Sequence, residues 1–268
     1  AYTWTATEDA IVVVTYDSIR YIMAETHTGN GTVSFDSTVN CGETYTYEVK
    51  AEEGWHIESC ILSDGVTDVE QMTLPTTNAD NATTVDVTAD KDYVLNVTFA
   101  INTYNVTLCN PLTEGTATIN PAVVAHDSTV EVTVVVTAPG YHVQTIFSDE
   151  ANVQTYGENA DTNVTYTLTN VVSDTCIDVT FELNNYNIVA SVSDPDNGEI
   201  VPEGDSAVRY GDNVTYTIRP TNDCHYISTV VVDDTTVIDV NDSVAFDYTF
   251  SAIDNNHTIV ANFDIYRY

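Results

Sequence analysis

Three kinds of side chain in this 268-residue chain could do chemistry: five cysteines, six histidines and an excess of carboxylates, 41 Asp plus Glu against 6 Lys plus Arg. The histidines are His27, His56, His126, His142, His225 and His257. No two are close in sequence, and no H-E-x-x-H or His/Cys cluster of metal-ligand spacing occurs. No G-x-S-x-G, P-loop or G-x-G-x-x-G is present either. Acidic loops at Asp194–Gly198, Asp233-Asp234, Asp239–Asp242 and Asp254–Asn256 could offer oxygen ligands to Ca²⁺. Their spacing does not match D-x-[DN]-x-[DN]-G, so they read first as solvated turn residues. No cofactor is expected, and calcium stays a hypothesis.

Modification is the other available chemistry. N-x-[ST] acceptors stand at Asn30, Asn81, Asn96, Asn105, Asn163, Asn213, Asn241 and Asn256. Asn96, Asn105 and Asn213 fall on the polar parity of strand-like stretches, where glycans would solubilise the surface and block edge pairing.

The net charge of −35 argues against a nucleic-acid partner, whose phosphates need cations, and against an anionic membrane face. No apolar run approaches the roughly 20 residues that span a bilayer, so no membrane insertion is expected.

The elements that must position these residues are strands. Thr and Val supply roughly three residues in ten, and both are β-branched. In Asn213–Arg219, Val214, Tyr216 and Ile218 share one face while Thr215, Thr217 and Arg219 share the other. Residues 43–50 and 130–136 alternate in the same way, and no window shows helical periodicity.

The strands recur in tandem. Opening tyrosines stand at Tyr21, Tyr104 and Tyr186, a period of 82 to 83 residues. Each is followed by a turn glycine (Gly31, Gly115, Gly198), an alternating strand, and an aromatic/His pair: Trp55-His56, Tyr141-His142, His225-Tyr226. Each repeat closes on Phe99, Phe181 or Phe263, and the next opening Tyr follows five residues later. Residues 4–16 match 87–99 without a gap, so residues 1–20 read as tail strands of a preceding repeat or as a donor segment. Three repeats follow at 21–103, 104–185 and 186–268.

The opening Tyr, NG turn, Y/C-G-[DE] before a strand, G-[WY]-H, late YTF and closing NHTIVANF together resemble the divergent internalin-type B-repeat family, best over residues 186–263. The resemblance implies small β-rich modules in tandem on secreted or surface-anchored microbial proteins, and it implies no catalytic residues. The expected fold is all-β: three small β-sandwich-like (Ig-like) modules in tandem, with a β-grasp variant left open.

The cysteines lie at different repeat positions and include no C-x-x-C. Cys109 lies in an opening strand and Cys176 in the closing strand of the same repeat, both facing away from the apolar parity, so a disulfide is expected if those strands are neighbours. Cys41 and Cys60 share the first repeat and form a second candidate pair. Cys224 takes the place of the turn glycines Gly54 and Gly140 and is left as a free thiol or an intermolecular link. Disulfides suit an oxidising exterior. The lysines are Lys50 and Lys91 only, too few for an isopeptide staple in every repeat.

Four-residue linkers without Gly or Ser limit flexing. Eight-residue strands at ~3.3 Å per residue make a repeat roughly 30 Å long, and three in line reach on the order of 100 Å. The expectation is a non-enzymatic, extracellular or cell-surface glycoprotein that forms a stiff rod, filament, pilus or stalk with copies of itself. Donor-strand exchange through residues 1–17 is one route, with Trp4, Val12, Val14 and Tyr16 as interface residues. The alternative is an adhesin or carbohydrate-binding array using the ring position of Trp55 and Tyr141, which otherwise packs on its own repeat. A weaker alternative is the accessory region of a secreted hydrolase.

Overall fold

A computed structural model describes residues 3, 5, 7–9, 11, 13–65, 68–72, 81–148, 153–157 and 162–267. The protein is all-β, and no described residue is helical. No helix long and apolar enough to cross a membrane occurs among the described residues.

The first repeat runs through β1 (Arg20–Thr28), β2 (Gly31–Ser34), β3 (Thr38–Asn40), β4 (Thr44–Ala51), β5 (Trp55–Ser63), β6 (Asp68–Met72), β7 (Ala82–Thr88) and β8 (Tyr93–Ile101). They form a five-stranded sheet in the order β3-β1-β8-β5-β6 and a three-stranded sheet β2-β4-β7. β1 and β8 pair parallel, from Met23 opposite Tyr93 to Thr28 opposite Thr98. The connection between them runs through the second sheet, as parallel neighbours require a long crossover.

The second repeat consists of β9 (Thr103–Leu108), β10 (Gly115–Asn120), β11 (Val123–Ala125), β12 (Ser128–Val136), β13 (Tyr141–Phe147), β14 (Val153–Thr155), β15 (Asn163–Val171) and β16 (Thr175–Leu183). The third consists of β17 (Asn185–Val192), β18 (Gly198–Val201), β19 (Gly204–Arg209), β20 (Val214–Pro220), β21 (His225–Val232), β22 (Thr236–Asp242), β23 (Phe246–Phe250) and β24 (His257–Ile265). Their sheets, β11-β9-β16-β13-β14 with β10-β12-β15, and β19-β17-β24-β21-β22 with β18-β20-β23, repeat the first strand order position by position. A bulge recurs at the same place, at Ile57/Ser59, Val143/Thr145 and Ile227/Thr229.

Period-two alternation builds the cores. In β4, Tyr45, Tyr47, Val49 and Ala51 point inward while Thr44, Thr46, Glu48 and Lys50 face solvent. They share one core with Met23, Leu95, Val97 and Phe99 of the five-stranded sheet. Tyr216 and Ile218 of β20 are likewise fully buried, with Ile188, Ile227 and Ile259 opposite. Each fully buried side chain of this size contributes about 1.5–3 kcal/mol. The turn glycines have a packing reason. A Cβ on Gly31, Gly115 or Gly198 would enter the ring of Phe99, Phe181 or Phe263, so turn glycine and closing Phe belong together.

The described chain forms two compact units. One comprises Ala1–Tyr104 with Val123–Ser128 and Asn170–Ser173. The other comprises Asn105–Ala122, Thr129–Thr169 and Asp174–Tyr268.

Among the described residues before Arg20 none lies in a strand, and residues 1, 2, 4, 6, 10 and 12 of the expected tail or donor segment lie outside the described residues. Of the expected interface residues, Val14 and Tyr16 are exposed, while Trp4 and Val12 lie outside the described residues.

Candidate functional site at the repeat junctions

Only Asn102 separates β8 from β9, and only Asn184 separates β16 from β17. Each of these asparagines is bonded on three sides. Within the first compact unit, Asn102 N–H donates to the Gly54 carbonyl at 2.8 Å, and its own carbonyl accepts from His126 N–H at 2.8 Å. Its side-chain Oδ1 lies 2.8 Å from His56 Nδ1. Within the second unit, Asn184 N–H donates to Gly140 at 2.7 Å, its carbonyl accepts from Tyr210 N–H at 3.0 Å, and its Oδ1 lies 2.8 Å from His142 Nδ1. A carboxamide oxygen only accepts, so Nδ1 carries the proton in both histidines. Asn102 and His142 are buried polar residues at 6% and 1% exposure, and these bonds offset their desolvation.

The two glycines complete the motif. Gly54 and Gly140 have φ of 77° and 75°, a conformation that disfavours side chains. A Cβ at either would also strike the ring of His126 or Tyr210. His126 and Tyr210 occupy the same position in their repeats, and each covers the preceding repeat's turn. Tyr104 Oη approaches His126 Nδ1 at 3.4 Å and fixes that ring further.

The third repeat changes the set as a group. Tyr266 N–H donates to the carbonyl of Cys224, the residue at the glycine position, at 3.0 Å. Tyr226 and Tyr266 replace the His–Asn pair, with ring centroids 4.9 Å apart. At the other face, Cys41 stands where His126 and Tyr210 stand, and Cys41 N–H donates to the Ile19 carbonyl at 2.9 Å.

Cys109 and Cys176 form a disulfide, with Cα atoms 5.0 Å apart. The parallel register of β9 and β16 sets Thr107 opposite Cys176, and Cys109 N–H donates to Ile177 O just past the end of β9. The second expected pair is corrected: Cys41 and Cys60 are both free. β1 and β8 lie between β3, which Cys41 follows, and β5, which holds Cys60. Three strand spacings of about 4.8 Å are far beyond disulfide reach. Cys60 instead fills the core, and burial pushes its thiol up to about 11.

Of the eight sequons, Asn30, Asn81, Asn105, Asn163, Asn213, Asn241 and Asn256 are exposed. Asn96 is half-buried, its Oδ1 accepting from Thr26 Oγ1 at 2.6 Å. Side-chain oxygens in the acidic loops and in equivalent turns hold backbone. Asp92, Asp174 and Asn256 each accept, at 2.8 Å, from the opening strand beside them, at Ile22, Asn105 and Asn187 N–H. Asp194 accepts from Asp196 N–H and Asn197 Nδ2 within its own turn. No group of three His, Cys, Asp or Glu able to hold a metal occurs among the described residues. An open cleft of ≈ 520 Å³ lies along the parallel pair of the third repeat, where Asp233 pairs with His257 at 2.9 Å. Trp55 packs against the core of its own repeat.

The linker asparagines were not among the residues singled out from sequence. Their signal was present: AINT and ELNN carry Asn at the same repeat position, and the first two repeats, which these linkers follow, also have G-[WY]-H. No protein-family model matches this chain, and no curated protein matches it.

Proposed function

We propose that this chain is a non-enzymatic extracellular structural protein: tandem Ig-like β-sandwich modules joined into a stiff, glycosylated rod that assembles as a filament, pilus or cell-surface stalk. The observation that carries the reading is the double anchoring of Asn102 and Asn184. Each linker residue is bonded to a turn of the repeat before it and to a turn of the repeat after it, the one between β11 and β12 or between β19 and β20. A linker held on both sides resists bending, which is what a load-transmitting stalk needs. An array of near-equal repeats also offers little of the asymmetric cleft that catalysis needs.

Exposed sequons support a glycan sheath, and peptide mass spectrometry of native material tests it. Unmodified asparagine at all eight sites would remove the sheath from the proposal. At −35, neighbouring rods repel at low salt, so lateral packing needs salt, divalent cations or glycan between them.

Residues 1–17 carry the donor version of assembly. Ala10, Val12, Val14 and Tyr16 match Tyr93, Leu95, Val97 and Phe99, the inward-facing set of β8. A second copy whose closing strand is displaced would accept them. The test is electron microscopy of the full chain and of a chain lacking residues 1–17. Filaments from the full chain alone support donor assembly; filaments from both leave the structural reading standing without it; isolated short particles from both overturn the reading.

A further inference from the structure

The junction contact occurs twice within the chain, and each of its halves occurs once more with a cysteine at the contact position. In the internal junctions, a bulky ring (His126 or Tyr210) lies over a glycine (Gly54 or Gly140) that has no side chain. The first repeat carries Cys41 at the ring position, and the third repeat carries Cys224 at the glycine position. Ring plus glycine is replaced by two small thiols that together fill similar room. Both cysteines are exposed and free.

The spacing suits a bond. His126 Cγ lies 2.5 Å from where a Cβ on Gly54 would stand, and Tyr210 Cγ is closer still to Gly140. With a Cβ–Cγ bond of about 1.5 Å, the Cβ of the ring residue is no more than about 4 Å from that position, so residues at the two places are neighbours, on the scale of the roughly 3.5–4.5 Å between the Cβ atoms of a disulfide; Cys224 itself lacks the left-handed φ of Gly54 and Gly140. We propose that Cys41 of one copy and Cys224 of a second copy form an intermolecular disulfide that locks the chains head to tail, repeating between copies the contact made inside each.

The surrounding residues fit that occupant. Ile19 occupies the position of buried Asn102 yet is 63% exposed, and Tyr266 at the opposite face is 42% exposed. Inside the chain one asparagine both donates to the turn and accepts from the next repeat. At the two cysteines the bonds are made by separate residues of the chain, Tyr266 N–H to Cys224 O and Cys41 N–H to Ile19 O, so each copy would bring one half of the bridge. The Cys41 thiol sits beside the Tyr21 hydroxyl, as His126 sits beside Tyr104. Forming the S–S bond releases two protons and two electrons. A low-molecular-weight disulfide such as oxidised glutathione accepts them and departs as two thiols.

The inference rests on the proposed self-assembly, and the test separates the two. Full chain treated with oxidised glutathione should give a ladder of covalent multimers on a denaturing gel, collapsed by dithiothreitol, with a Cys41–Cys224 peptide in the digest. Cys41→Ser and Cys224→Ser should each stay monomeric alone; mixed, they should give a dimer and nothing larger. A homodimer from either variant alone, a linked monomer, or no linkage overturns the disulfide. Filaments of the wild type in dithiothreitol show whether self-assembly survives that failure; absence of both filaments and cross-links removes both proposals.

Discussion

His142 Nδ1 lies 2.8 Å from Asn184 Oδ1, and His56 Nδ1 stands at the same 2.8 Å from Asn102 Oδ1. The equal geometry at two junctions makes the histidine a fastener of the linker. Asn184→Ala removes the acceptor while His142 stays buried. The expected loss is about 1–3 kcal/mol of unfolding free energy, read by denaturant titration. An unchanged midpoint would show that the bond holds nothing.

Gly140 is constrained twice, by its φ of 75° and by the Tyr210 ring. Gly211 has a φ of 82° with open space around it. Gly211→Ala should cost about 1 kcal/mol from backbone conformation alone. Gly140→Ala should cost more, because Tyr210 must move as well. Equal thermal shifts for the two variants would mean that the ring contact is slack.

The Cys109–Cys176 bond closes a loop across a sequence separation of 67 residues. Cys176→Ser should lower stability by about 2–4 kcal/mol. Dithiothreitol should lower the melting temperature of the wild type, while the double variant C109S/C176S should melt at one temperature with or without it.

Three thiols are free but differ in access. Cys41 and Cys224 are exposed, whereas Cys60 is fully buried with its thiol raised by that burial to about 11. Native, reduced-glutathione-treated chain should take two maleimide adducts at about pH 8 and a third only after unfolding. Early labelling of Cys60 would show that the core of the first repeat opens readily.

Burial, with Tyr45 alongside, pushes the Tyr47 phenol up to about 12. An unfolded tyrosine titrates near about 10. Between those values the unfolded chain has released a proton that the native chain still holds, so rising pH favours unfolding. Below about pH 10 both states are protonated and the group has no effect. Denaturation midpoints should therefore fall from about pH 10 to 12, and Tyr47→Phe should flatten that fall. Tyr47→Phe should also lose the hydrogen bond to Ala24 O at every pH.

The sequence by itself determined the all-β class and the face of each strand. Both follow from local alternation: Tyr216 and Ile218 had to turn inward once Thr215 and Thr217 turned out. It also determined the period, because turn glycine and closing Phe recur together, and the structure supplies the reason in the Phe ring that leaves no room for a Cβ. Which strands become neighbours was not local information. The order β3-β1-β8-β5-β6 brings Cys109 to Cys176 in one repeat and keeps Cys41 from Cys60 in another, although both pairs share a repeat in sequence. The tertiary structure alone decided the part played by Asn102 and Asn184. A polar residue in a short linker reads as solvated until the fold bonds its backbone to the turns before and after it and its side chain to a buried or half-buried histidine.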